Sequence, residues 1–320
     1  MDVVVTGGAG FIGSHLCAAL LERGDQVVCL DDLSSGSRRN VVSLLDHPAF
    51  TLLECNVSRP LPSGLSCDAV FHLASPASVP DYLARPLETL AVNSQGTWNM
   101  LELARAQNAA FLFTSTSEIY GDPLVHPQPE TYWGNVGTLG PRACYDEAKR
   151  FGEALVMAYV RSYGLDARIV RIFNTYGPHS RPDDGRIVPN FVVQALQRRP
   201  ITIYGDGQQT RSFCYVTDLV GGLLAAMDRE GTRGEVFNLG NPEEYTVRAF
   251  AELISRLLGS DAGMVYCPLP VDDPTRRCPD IQKARQVLNW EPRVDLPTGI
   301  ELTARWFREL LAAPAPAGSG

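Results

Sequence analysis

Asp2-Val3-Val4-Val5-Thr6-Gly7-Gly8-Ala9-Gly10-Phe11-Ile12-Gly13 is the stretch whose reading decides the fold. Its first five residues are a short β-branched run, the composition of a buried strand. Glycines follow at 7, 8, 10 and 13, and Ile12, Leu16, Ala19 and Leu20 then recur at helical spacing. A second apolar run, residues 26–30, ends in Asp31-Asp32. The order is strand, glycine turn, helix, strand, acid. Glycines permit a tight turn and let the backbone approach a pyrophosphate at a helix N-terminus. An acid closing the second strand, here Asp31, can accept the ribose hydroxyls of NAD and repels the 2′-phosphate of NADP. Arg38 and Arg39 follow, but they read as surface because Asp31 already holds the discriminating position.

The alternation continues outward from that unit. Phe50–Glu54 and residues 69–74 read as further strands. Residues 91–106 carry a helical stripe, and residues 111–115 and 167–173 supply a fifth and a sixth strand. Strands alternating with helices predict an α/β fold: a Rossmann-type, doubly wound parallel sheet. Ligands bind such sheets at the carboxyl ends of the strands. That rule places residues 7–13, Asp31, residues 74–78, residues 115–118 and Asn174 along one rim.

On that rim Tyr145-Asp146-Glu147-Ala148-Lys149 carries the chemistry. A tyrosine and a lysine four apart lie one above the other on a helix. An ammonium near the phenol is expected to lower its pKa from about 10. The pair can then take the proton of a sugar or alcohol hydroxyl. Ser115-Thr116-Ser117-Glu118 after the fifth strand offers hydroxyls to share that proton, or caps for the next helix.

Composition narrows the class. The 320 residues are 45% apolar and 20% charged, with a net charge of −8 and no basic block. A nucleic-acid surface needs clustered Lys and Arg, so that role is excluded as the main one. Eight cysteines form no C-x-x-C pair and read as reduced, mostly buried thiols of a cytoplasmic protein. Cys144, beside Tyr145, reads as a small packing residue. The five histidines show no ligand spacing, so no metal is assigned. No signal peptide, no apolar run of membrane-spanning length and no membrane partner are expected.

The chain resembles the extended short-chain dehydrogenase/reductase family of nucleotide-sugar enzymes. The likeness rests on Thr6-Gly7-Gly8-Ala9-Gly10-Phe11-Ile12-Gly13-Ser14-His15, the 116–121 segment, Tyr145-x-x-x-Lys149 and Phe173-Asn174-Thr175-Tyr176-Gly177-Pro178. Five further stretches resemble the branch that decarboxylates UDP-glucuronate. They are Leu73-Ala74-Ser75-Pro76-Ala77-Ser78, Thr116-Ser117-Glu118-Ile119-Tyr120-Gly121-Asp122-Pro123, Tyr132-Trp133-Gly134-Asn135, residues 140–150, and Asp272-Asp273-Pro274 leading to Arg277-x-Pro279-Asp280-Ile281. The resemblance implies NAD as cofactor and conversion of UDP-glucuronate to UDP-xylose through a 4-keto sugar. It implies catalytic roles for Thr116, Glu118, Tyr145 and Lys149. It implies that Gly7, Gly10, Phe11, Ile12, Gly13, Asp31, Asn56, Val57, Leu73, Ala74, Ser75 and Asn93, with Tyr145 and Lys149, hold the cofactor. Pro76, Ala77, Ser78, Glu118, Asn174, Arg186, Asn190, Tyr204, Arg211 and Arg277 would hold the UDP-sugar, with Arg211 and Arg277 on the pyrophosphate.

Three departures stand out: Asn56 where an acid is common, Ala148 where glycine is usual, and Asp32 where asparagine is frequent. Alternative readings are a UDP-glucuronate 4-epimerase, a dTDP-glucose 4,6-dehydratase and a silent NAD-binding scaffold. Dehydration needs an acid where Ser117 stands, which places it last among the reactions. Residues 1–173 are expected to form the cofactor domain, with residues near 213–240 returning to it. Residues 174–311 would form a smaller, interwoven α/β sugar-binding domain, and 312–320 a disordered tail. Stripes on residues 92–104 and 151–160 would pair two copies into a homodimer.

Overall fold

The computed structural model describes residues 1–269 and 276–312; the 272–274 motif and residues 313–320 of the expected tail lie outside them. The strands are β1 (Asp2–Thr6), β2 (Gln26–Asp31), β3 (Phe50–Glu54), β4 (Ala69–His72), β5 (Ala110–Thr116), β6 (Ala167–Ile172), β7 (Thr175–Tyr176), β8 (Ile201–Tyr204), β9 (Thr210–Ser212), β10 (Cys214–Tyr215), β11 (Val236–Leu239), β12 (Glu244–Thr246), β13 (Met264–Cys267) and β14 (Arg276–Arg277). The helices are α1 (Phe11–Glu22), α2 (Val79–Ala84), α3 (Pro86–Ala91), α4 (Thr97–Gln107), α5 (Ala143–Tyr163), α6 (Ile187–Leu196), α7 (Val216–Asp228), α8 (Val247–Leu258) and α9 (Leu296–Ala312).

Seven strands form one sheet in the order β11-β6-β5-β4-β1-β2-β3. Every neighbouring pair in it is parallel. A parallel sheet is covered on both faces, so its strands read as apolar runs rather than alternating ones. That is why Val3, Val4 and Val5 are all buried. One face packs on α1 and α7, the other on α4 and α5; α6, α8 and α9 pack on one another beside β8 and join the α1–α7 side in one apolar cluster. The chain order reverses between β1 and β4, and ligands bind at that switch point in open α/β sheets.

A single hydroxyl ties the switch point together. Thr6 Oγ1 accepts the backbone N–H of Leu73 and of Ala74, both at 3.1 Å. Its own proton therefore goes to His72 Nδ1, 2.7 Å away. His72 Nε2 then donates to Thr97 Oγ1 at 3.1 Å, whose hydroxyl donates on to Asn93 O at 2.8 Å. Burial pushes the His72 pKa down to about 3, with the Lys149 charge adding to the shift, so the ring is neutral and the chain runs one way.

Several sequence readings shift in detail. The strand read as 69–74 ends at His72, because Leu73 and Ala74 turn their N–H groups onto Thr6. The helix read as 91–106 begins earlier, as α3, and passes through a π-helical turn, Val92–Gly96, before α4. Arg276 and Arg277 form the short strand β14 and pair with β9. The sequence reading overlooked α9, although Leu296, Ile300, Ala304 and Phe307 mark its buried face at helical spacing. The strand β11 and helix α7 lie with the large sheet, although they follow residues that build the smaller sheets.

Candidate active site

A cleft of about 280 Å³ opens at the carboxyl ends of the sheet.

One wall is the glycine loop. Gly7 has φ +68°, and a Cβ there would sit 2.9 Å from Ala74 N. A Cβ on Gly13 would sit 2.1 Å from Gly7 O, so the loop closes only with glycine at 13. Gly10 precedes the first turn of α1, which offers its free N–H groups to the cleft. Asp31 Oδ2 accepts Ala9 N at 2.9 Å and Oδ1 accepts Leu33 N at 2.8 Å, which fixes the carboxylate at the end of β2. Burial raises its pKa against those two hydrogen bonds. Asn93 lies in the π-helical turn, buried, with Nδ2 donating to Ser75 Oγ at 2.9 Å and Oδ1 without a partner among the described residues. A cradle no Cβ could enter and an anchored acid together fit a dinucleotide; Asn93 is not among the residues that line the cleft and reaches it only through Ser75.

Gly10, Phe11, Ile12, Asn56, Val57, Leu73, Ala74 and Ser75 also line this part. Asn56 is less available than the sequence implied, since its Nδ2 donates to Asp32 at 2.9 Å and its Oδ1 accepts from Ser58. Arg38 and Arg39 are exposed.

The other wall is built on β5, α5 and the loops beyond them. Thr116, Glu118, Tyr145 and Lys149 all line the cleft, with Pro76, Ala77, Ser78, Asn174 and Arg186. The helix α5 presses close to β5: a Cβ on Gly152 would lie 2.4 Å from the Phe113 ring. That approach lets Lys149 Nζ reach Thr114 O at 2.9 Å. Burial lowers the Lys149 pKa to about 7, against a raising contribution from Glu153. The expected lowering of Tyr145 is not found. Burial raises its pKa, outweighing the Thr116 hydroxyl that lowers it; the Lys149 ammonium is committed to Thr114 O and stands 6.0 Å from the centre of the phenol ring. Tyr82 stacks on Tyr145 with centroids 5.0 Å apart and 5° between planes.

Glu118 is the best-held charge in the site. It accepts Arg277 Nη2 at 3.2 Å as well as Nη1, and it accepts Arg142 Nη2. Burial pushes its carboxyl up, but Arg277 and Arg142 outweigh burial and hold it near about 2. Arg277 therefore meets Glu118 in this structure, where the sequence reading put it on a pyrophosphate. Arg211 is its register partner on β9 and is buried. Asn190, Tyr204, Arg211 and Arg277 do not line the cleft; Asn190 Nδ2 donates to Gly185 O, and Tyr204 is 45% exposed.

Arg142, Tyr82 and Asp146 were not singled out as site residues from sequence. Arg142 stands one helical turn before Tyr145, and that i, i+3 spacing was the available signal. Elsewhere His126, Glu244 and Cys278 come within 4.8 Å of one another. Arg276 Nη2 lies 2.8 Å from His126 Nε2 and already supplies the cation there.

Comparison with known proteins gives a consistent family. The model of the NAD dependent epimerase/dehydratase family matches residues 3–240. UDP-glucuronic acid decarboxylase 1 of Arabidopsis thaliana is 50% identical over 308 residues, covering 96% of this chain and 70% of that protein. UDP-glucuronic acid decarboxylase 1 of Xenopus tropicalis is 48% identical, covering 97% and 72%. The crystal structure of UDP-glucuronic acid 4-epimerase from Bacillus cereus, in complex with UDP-glucuronic acid and NAD, superposes with a TM-score of 0.88. It is 30% identical over 97% of this chain and 100% of that one.

Proposed function

The chain belongs to the NAD dependent epimerase/dehydratase family, and on that premise we propose that it converts UDP-glucuronate to UDP-xylose and CO₂. Its cofactor is NAD. When bound, NAD would supply an acceptor for the hydride of sugar C4 and a donor to return it at the end of the cycle. Gly7, Gly10, Phe11, Ile12, Gly13 and Asp31 would hold it, with Asn93 steadying Ser75 behind them.

Tyr145 can accept the proton of the 4-hydroxyl once a cation in the site offsets the burial that raises its pKa, with Thr116 beside it to share the hydrogen bond. Lys149, titrating near about 7, is poised to receive or return charge as that proton moves. Oxidation at C4 leaves a ketone next to C5, which bears the carboxylate. The C5–carboxylate bond then breaks, its electron pair passes into the C4 carbonyl as an enolate, and CO₂ departs. A proton added at C5 completes the carbon skeleton of the pentose.

The observation that carries this reading is Glu118, an ionised and doubly held carboxylate lining the cleft with Tyr145. Glu118 keeps both guanidinium groups on itself and out of the cleft lining, so neither pairs with the sugar's carboxylate, and its loss as neutral CO₂ is favoured. It works against a 4-epimerase, which must keep that carboxylate. Ser117 offers no acid for a dehydration.

The test follows UDP-glucuronate by NMR with the purified protein. UDP-xylose and CO₂ without net NADH are expected. UDP-galacturonate with its carboxylate intact would overturn the reading in favour of epimerisation.

The protein acts as a homodimer through α3, α4 and α5, where Leu87, Leu90, Trp98 and Phe151 are exposed. Light scattering at micromolar concentration tests this; a monomer would refute it. Eight free thiols support a reducing compartment, the cytoplasm. No helix among the described residues is long and apolar enough to cross a membrane.

A further inference from the structure

Glu118 is gripped from two distant places in the chain. Arg142 immediately precedes α5, and Arg277 belongs to β14. Their side chains are only 15% and 5% exposed, and neither lines the cleft. Glu118 itself lines the cleft, and the guanidinium groups stand behind it. Arg142 takes Oε2, and Arg277 takes Oε1 and shares Oε2. With both oxygens engaged from two sides, the carboxylate cannot turn away.

One arginine would neutralise a glutamate; a second suggests that fixing its charge and orientation matters. The remaining groups around it argue the same way. Tyr145, Asp146 and Tyr82 all interact electrostatically with Glu118. Asp146 Oδ1 and Tyr82 Oη are buried and have no hydrogen-bond partner among the described residues. None of these three donates to Glu118, so its ionisation depends on the two arginines.

We propose that Arg142 is a positioning residue for CO₂ loss: together with Arg277 it holds Glu118 as a fixed anion lining the cleft, without itself touching substrate. This rests on the decarboxylase reading above. Without Arg142, burial is opposed by one guanidinium only, and the Glu118 pKa rises from about 2 toward the working range. Acid then neutralises Glu118, and CO₂ release falls on the acid side.

The experiment measures CO₂ release and UDP-glucuronate consumption from pH 5 to pH 9 for the holoenzyme and for R142Q, R142K, E118Q and E118Q/R142Q. R142Q should release CO₂ about 10²-fold more slowly at pH 5 but lose less at pH 8, with NAD content unchanged. R142K should recover much of the acid-side loss, since it restores a cation. The double variant should be no slower than E118Q alone, because the arginine acts through that carboxylate. A profile for R142Q lowered by one factor at every pH marks a structural role and overturns the proposal. So do additive losses in the double variant. Should R142Q fail to fold, the R142K profile and its comparison with E118Q decide in the same way. Absence of CO₂ from the unsubstituted enzyme would instead refute the decarboxylase reading, which separates the two failures.

Discussion

The two walls of the cleft are made of different materials. Under the glycine loop the contacts are backbone: N–H groups, a turn no side chain could enter, and one acid tied to two neighbouring amides. Around Glu118 they are charges: one carboxylate, two guanidinium groups, a buried ammonium and an aspartate. Backbone cradles tolerate no added volume. Charge clusters tolerate volume but not a change of sign or protonation. The two walls should therefore break in different ways.

The largest effect belongs to the charged wall. Tyr145→Phe keeps ring and packing but removes the proton acceptor, so turnover should fall by about 10²–10⁴-fold. Bound NAD, measured after denaturation, should be unchanged; its loss would mean the two walls are not separable. The converse test is Gly13→Ala. Its Cβ would lie 2.1 Å from Gly7 O, so the loop must move, and NAD affinity should drop by roughly 10²-fold, ~2.7 kcal/mol. Retention of NAD by that variant would show the cradle to be softer than its geometry.

A subtler difference concerns stability. Lys149 has a folded pKa near about 7 against 10.5 unfolded, so between those values the unfolded chain binds more protons. Its burial penalty is largest below about pH 7 and fades as pH rises toward 10.5. Lys149→Met should remove up to about one proton of that slope, ~1.4 kcal/mol per pH unit, and raise the melting temperature at pH 7. An unchanged slope would mean the ammonium is solvated. The smallest effect should be Cys144→Ser. Its thiol donates to Pro141 O at 3.3 Å, and a hydroxyl can do the same. Turnover and stability should stay within about 0.5 kcal/mol of the parent.

The same contrast explains what could be read from sequence. The cradle is contiguous: Gly7, Gly10 and Gly13 state their purpose within seven residues, and Asp31 follows in register. Tyr145 and Lys149 were legible because helical spacing is fixed. Arg142 and Arg277 were not legible as partners, since no local rule brings residues 142 and 277 onto residue 118. The protonation of Tyr145 was misjudged for a related reason. Spacing placed Lys149 near it, but Gly152 lets α5 sink until the ammonium meets Thr114 O instead. Asn93 was named, but the π-helical turn that buries it beside Ser75 depends on packing: Gly96 there lies close against Val57.

The return of the chain to its large sheet has an engineering consequence. After β6 the backbone leaves to build the strands carrying Tyr204 and Arg211, then comes back as α7 and as β11, paired to β6. Arg277 arrives only on the next excursion. The part of the chain outside the large sheet is therefore not a cassette with one entrance and one exit. A graft from a relative with another sugar preference would need several seams, each ending in buried sheet or helix. Specificity in this architecture is more readily changed residue by residue than by exchanging a lobe.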